Sequence, residues 1–326
     1  MARFVSFFTQ AVIIGMPLLY GSVGEMIIEK SGNLNLGIPG IMYVGGISGI
    51  LGGYFFETYG NTSNTFLCIL IPFICSLAGS LIMSLIYSFL TVTLRANQNV
   101  TGLVLTTFGM GIGSFIGGSL SSILGTGTTV SLNIIGACFK KSLPFADNLG
   151  LFGKAFFSYG FMTYLAIAVA LVAGYMLRKT RVGLNLKAVG ENPATADAAG
   201  INVIKYKYGA TCVGGAVAGL GGLYYVMEFI GGTWSNAGFG DRGWLAIALV
   251  IFALWKPDLG IIGSILFGGL YIVYMFIGGL PRSSQEIFKM LPYVVTILVL
   301  IIISVRKKRE NQPPASLGVS YFREER

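Results

Sequence analysis

Not one of the 326 residues is a histidine, and only 11% carry charge. Without imidazole the chain cannot build a His-ligated metal site or a His-based catalytic set of its own. A soluble domain carries nearer a quarter charged residues, so so little charge argues against a water-facing fold. Cysteine is scarce: Cys68, Cys75, Cys138 and Cys212 form no CxxC pair and read as small packing residues. A phosphate-binding GxxxxGK[ST] string is missing. The nearest stretch, GLFGKA at 150–155, lacks both the spacing and the hydroxyl, so any ATP must be handled by another polypeptide. Carboxylates inside the apolar runs look few and unpaired. That counts against an enzyme and against an ion-coupled transporter. No cofactor is implied.

What is abundant points the other way. The chain is 54% hydrophobic, its mean hydropathy is +0.76, and 47 residues are glycine. Glycine is commoner in membrane helices than in soluble ones. Apolar runs fall near 4–28, 36–56, 65–94, 100–124, 158–177, 208–231, 243–256, 258–280 and 287–305. Several exceed the roughly 18 residues that suggest a span. The expectation is an all-α, polytopic transmembrane helical bundle of about nine segments in a single domain over 1–326. The run at 243–256 is short for a span, and the N-terminus reads as the first span, not a cleaved signal. Small residues recur every fourth position in Gly45/Gly49/Gly53, Gly109/Gly113/Gly117, Gly214/Ala218/Gly222 and Gly260/Ser264/Gly268. Such stripes let helix backbones approach closely.

Charge is placed as well as sparse. The net charge is +9. Arg178, Lys179, Arg181, Lys187, Lys205 and Lys207 cluster around one polar stretch, and Arg306 to Arg309 follow the last apolar run. Basic loops stay in the cytoplasm. The loop 178–207 and the tail 306–326 are therefore expected inside, with the N-terminus and the 125–157 loop outside despite Lys140, Lys141 and Lys154. Topology accounts for the basic residues, so no nucleic-acid partner is implied.

The polar stretch KAVGENPATADAAGIN, 187–202, has the parts of a short helix. Asn192 suits the N-cap, Pro193 the first helical position, and Gly200 the stop. A helix that short is unstable alone in water and should rest on something. Ala194, Ala198 and Ile201 would suit a partner's groove, and an alanine-rich surface loop is the plain alternative.

AVGENPATADAAGIN closely resembles the cytoplasmic loop of ABC-importer permeases of the branched-chain amino acid/ribose/nucleoside superfamily. GEMIIEKSGNLNLGIPGIM (24–42), LRANQNVTGLVL (94–105) and DRGWLAIALVIFALWKP (241–257) resemble further stretches of that family, in the same order. The likeness is greatest to the nucleoside, or simple-sugar, branch; Asp241 stands where glycine is expected. The resemblance implies a coupling helix that meets an ATP-binding subunit through Gly190, Glu191, Asn192, Pro193, Asp197, Ala198, Gly200 and Ile201. It also implies a second permease chain, a paralogue of this one, and an extracellular solute-binding lipoprotein, all at the lipid bilayer of the cell membrane. The solute would be a nucleoside, with simple sugars and branched-chain amino acids as alternatives.

Two polar clusters offer themselves to such a solute. SGNLNLGIPG, 31–40, interrupts apolar sequence with Asn33 and Asn35. It reads either as a turn between spans or as a broken helix at membrane depth, the kind of break that recurs at transporter solute sites. Asn97, Gln98 and Asn99 form the second cluster, either as a helix start capped by Asn99 or as a wall of the path that Thr106 and Thr107 extend. Glu228 falls near the end of a span, with Arg242 as a candidate partner. Trp234 and Trp244 bracket that region as interface aromatics.

Overall fold

The apolar runs are helices in the computed structural model, which describes residues 2–60, 62–123, 130–142, 149–235, 238–279, 281–306 and 312–322. Among the described residues, eight helices are long and apolar enough to cross a membrane, and the segment Arg242–Phe252 is too short. At 1.5 Å per residue its 11 residues reach only about half of the hydrocarbon core. The ninth expected segment is this half-length helix, and the chain around it, from Thr233 to Trp255, still passes from one end of the bundle to the other.

In chain order the helices are α1 (Ala2–Glu29), α2 (Ile38–Tyr59), α3 (Thr65–Ser88) and α4 (Gln98–Ile123). Two short ones follow, α5 (Asn133–Phe139) and α6 (Gly150–Phe156), then α7 (Phe161–Lys179), α8 (Arg181–Glu191) and α9 (Pro193–Ala198). The chain continues through α10 (Val203–Tyr224), α11 (Arg242–Phe252), α12 (Pro257–Phe276), α13 (Arg282–Lys289) and α14 (Leu291–Arg306). π-Helical turns extend α3 over Phe89–Thr93 and α10 over Tyr225–Phe229. Helix α1 is the most enclosed, with α10 and α2 next, while α14 lies almost wholly at the periphery.

The small-residue stripes mark where backbones meet. Gly45 faces Gly219, Gly109 faces Gly40, and Gly214 faces Gly24. A Cβ on Gly24 would run into the Gly214 carbonyl and come within 2.9 Å of the Ala218 nitrogen, so any side chain there would separate α1 from α10. A second stripe escaped the sequence reading. Ser76, Ser80, Ser84 and Ser88, one turn apart on α3, are all fully buried. Ser80 and Ser84 each donate to the carbonyl one turn back (2.7 and 2.8 Å), and Ser76 donates to the Gly219 carbonyl of α10 at 3.3 Å.

Long-range contacts sort the loops into two ends. At one end Gly318 N donates to the Gly32 carbonyl (3.1 Å), Trp255 donates to Glu29, and Arg178 pairs with Asp258. At the other, Ser131 bridges Thr233, and Phe7 meets Phe276 with ring centroids 5.1 Å apart. The 178–207 segment and the described tail residues therefore share an end, opposite the N-terminus, which is the parity the charges suggested. The stretch 125–157 is more than a plain loop, because it contains α5 and α6, with Ile135 and Phe139 fully buried. Lys307 to Arg309 lie outside the described residues.

Candidate functional site

The site begins where α1 stops. Gly32 adopts φ +85°, a conformation glycine takes without steric cost, and turns the chain back toward the bundle. Asn35 then lies level with Glu25, whose Oε1 accepts from the Asn35 N–H at 3.1 Å. Glu25 is one turn inside the end of α1, about 6 Å, so this segment re-enters the helical layer before α2 starts. Asn33 and Asn35 are fully buried. Backbone without helix or sheet needs other partners, and four helices supply them. Gln98 Oε1 of α4 accepts from Leu34 N (2.7 Å), and Tyr87 of α3 donates to the Leu34 carbonyl (2.5 Å). Thr106 of α4 donates to the Leu36 carbonyl (2.7 Å). Asn33 Nδ2 donates to Thr211 Oγ1 of α10 (3.1 Å), and Asn35 Oδ1 accepts from Gly37 N (2.9 Å). Three buried atoms at this point make no hydrogen bond among the described residues: Glu25 Oε2, Asn33 Oδ1 and Asn35 Nδ2.

The second polar cluster divides. Gln98 and Thr106 join the break, whereas Asn97, Asn99 and Thr107 are exposed. Thr107 donates to the Leu103 carbonyl of its own helix at 3.2 Å. Asn99 is not the cap of α4. Asn97 is, with its Oδ1 accepting from Val100 N at 3.1 Å, because the helix starts at Gln98, ahead of the apolar run that begins at Val100.

The carboxylates also differ from expectation. Glu25, Glu29 and Glu228 are all buried within spans, and the first two stand one turn apart on α1. Glu228 does not pair with Arg242. It accepts from Met162 N (3.1 Å) and Thr163 Oγ1 (2.7 Å), so it caps the start of α7. Arg242 instead donates to the Gly238 and Phe239 carbonyls (2.8 and 2.9 Å) and lies over the Tyr225 ring. Trp234 is buried against Tyr43, and Asp241 is exposed ahead of α11 without capping it.

Below the break lies the polar stretch. Asn192 Oδ1 accepts from Thr195 N (3.0 Å), Pro193 opens α9, and Gly200 closes it at φ +82° with Ile201 N bonded to the Ala196 carbonyl. Ala196 points inward onto Val189 and Val203, which leaves Ala194 and Ala198 exposed one turn apart; Ile201 is half-buried. Glu191 and Asn192 are exposed. The basic residues before it form a second helix, α8, capped by Thr180 and anchored through Gly183, Leu186 and Gly190. Gly190 touches the break itself: a Cβ there would meet the Lys30 carbonyl and lie 3.2 Å from Gly32 N. The tail locks the junction. Ser316 donates to the Gly190 carbonyl from N (3.0 Å) and Oγ (2.5 Å), and Tyr321 donates to Asp197 at 2.9 Å. Burial and the neighbouring Lys187 charge lower the pKa of Lys30 to about 8.

Residues 7–300 match the family model described as branched-chain amino acid transport system / permease component. The chain belongs to this family. It is therefore a multi-pass plasma-membrane permease component of a transport system. The permease is similar to the nucleoside ABC transporter permease protein NupC of Lactococcus lactis subsp. cremoris, 33% identical over 296 residues and 89% of each chain. The guanosine ABC transporter permease protein NupQ of Bacillus subtilis is 31% identical over 294 residues, again 89% of each. TsgC13 of Haloferax volcanii, provisionally named a glucose ABC transporter permease protein, is 31% identical over 328 residues, 94% of each.

Proposed function

We propose that the permease is the membrane subunit of an ATP-driven importer of nucleosides. The 178–207 segment faces the cytoplasm and receives a separate ATP-binding subunit on α9. A second permease chain completes the path, and an extracellular solute-binding lipoprotein delivers the solute. The names of NupC and NupQ support the solute class.

The observation that carries the reading is the contact between Gly190 and the break at 30–37. A push on α8 and α9 acts directly on a re-entrant segment that holds fully buried asparagines with an unused donor and an unused acceptor. Neutral groups of this kind match the ribose hydroxyls and the mixed donors and acceptors of a nucleobase. A movement of the break would expose them to the path. Asn33, Asn35, Gln98 and Thr106 are assigned to that inner position, and the exposed Asn97, Asn99 and Thr107 to the face that meets the second permease chain.

The test is purification of the permease with its neighbouring subunits, followed by reconstitution into vesicles with labelled nucleoside. Co-purification of an ATP-hydrolysing subunit and uptake that needs ATP are expected. Uptake driven by an ion gradient without ATP would contradict the reading, and the buried Glu25, Glu29 and Glu228 make that control necessary.

A further inference from the structure

Lys207 is 3% exposed in the second turn of α10. Its backbone carbonyl accepts from Thr211, but no hydrogen bond or ion pair among the described residues engages its ammonium group. A buried ammonium without a partner is costly, so its surroundings matter. It lines a pocket of about 300 Å³ with Thr91, Arg95, Asp197, Ile201 and Tyr321. Arg95 brings a second positive charge, held at φ 58° with its guanidinium 4.7 Å from the Phe322 ring centroid. The acid in the lining, Asp197, already accepts from the Tyr321 hydroxyl at 2.9 Å. The pocket lining therefore sets two cations against one carboxylate, and it is bounded by the C-terminal end of α9, the helix on which the proposed ATP-binding subunit docks.

We propose that this pocket receives the carboxylate side chain of an Asp or Glu from the ATP-binding subunit, seated against Lys207 with Arg95 at the rim. The inference rests on the function proposed above and adds the chemistry of the contact. The volume suits one inserted side chain, near the lower limit of small-ligand sites. Charge complementarity selects an acid. A paired buried ammonium also contributes specificity, because a partner without the carboxylate would leave it uncompensated.

Zero-length carbodiimide coupling tests this directly. It condenses a carboxylate with a lysine amine in contact, releasing the activating urea and forming an isopeptide bond. The purified, assembled complex is treated and its peptides are read by mass spectrometry. The expected product joins Lys207 to an Asp or Glu of the ATP-hydrolysing subunit. Lys207→Arg should keep the complex and lose the cross-link, since a guanidinium does not couple. Lys207→Met should weaken assembly by about tenfold to a hundredfold. An assembled wild-type complex in which Lys207 stays unlinked, or links only to acids of its own chain, overturns the proposal. So does a Lys207→Met chain that folds, inserts and assembles like wild type. A wild-type chain that captures no ATP-hydrolysing subunit overturns the proposed function as well, which distinguishes the two failures.

Discussion

Gly190→Ala is the smallest change that separates coupling from folding. The added methyl would meet the Lys30 carbonyl oxygen, with the carbonyl carbon at 3.0 Å and Gly32 N at 3.2 Å. All three are backbone atoms, so no rotamer change relieves the contact. Overpacking of this kind costs about 1–3 kcal/mol. Alanine in place of glycine favours α8 itself by about 1 kcal/mol, so net stability should fall by no more than about 2 kcal/mol. The geometric effect does not cancel, because α8 must move off the break. If that junction transmits the stroke, a mismatch of 1–3 kcal/mol corresponds to about 5- to 150-fold weaker coupling. The assay is nucleoside taken up per ATP hydrolysed by the reconstituted complex, alongside its melting temperature in detergent. The variant should assemble and hydrolyse ATP while moving less solute per ATP. Assembly with an unchanged ratio would refute the reasoning and reduce the Gly190 contact to packing.

Three further outcomes follow from other residues. Ala198→Trp adds bulk to the exposed face of α9 and should abolish ATP-coupled uptake with membrane insertion intact; a variant that assembles and transports normally would contradict the docking assignment. Glu228→Ala leaves Met162 N and the Thr163 hydroxyl without their buried acceptor, at about 1–3 kcal/mol per group. It should lower the melting temperature in detergent more than Glu228→Gln, which keeps one carbonyl oxygen; equal melting of all three forms would remove the capping role. Single cysteines at 187 and 315, in a background without the native four, should label from inside, and one at 145 from outside; labelling of 145 and 187 from one side would show a miscounted span.

The helices were legible because each apolar run had to become one, and α9 because Asn192, Pro193 and Gly200 each suit a single helix position. The break was harder. Asn33 and Asn35 were visible as polar residues, but their depth depends on Glu25, Tyr87, Gln98, Thr106 and Thr211, which come from four helices far apart in the chain. The start of α4 was misplaced at Asn99 because apolarity begins at Val100, while Gln98 is drawn in by its bond to Leu34 N. Helix α8 was hidden by its charge, although Gly183, Leu186 and Gly190 share one face. The Ser76 to Ser88 stripe has the same four-residue spacing as the glycines, and its burial comes from packing on α10, where Ser76 donates to the Gly219 carbonyl. Glu25 and Glu29 were undercounted because the second sits at the last turn of α1, where burial is decided by Trp255 and the returning segment.

The central claim is that the break at 30–37 is where the solute and the coupling segment act on each other, and nucleoside affinity of the Asn35→Ala complex tests it most directly. Asn35 contributes a buried, unused Nδ2 donor. Loss of a hydrogen bond to a neutral solute costs about 0.5–1.5 kcal/mol, up to roughly tenfold in affinity. Reconstituted complexes of equal amount and equal ATPase activity should show nucleoside uptake with that weaker half-saturation in Asn35→Ala. Wild-type uptake kinetics in both Asn35→Ala and Asn33→Ala would contradict the account and return the stretch to a turn between two spans.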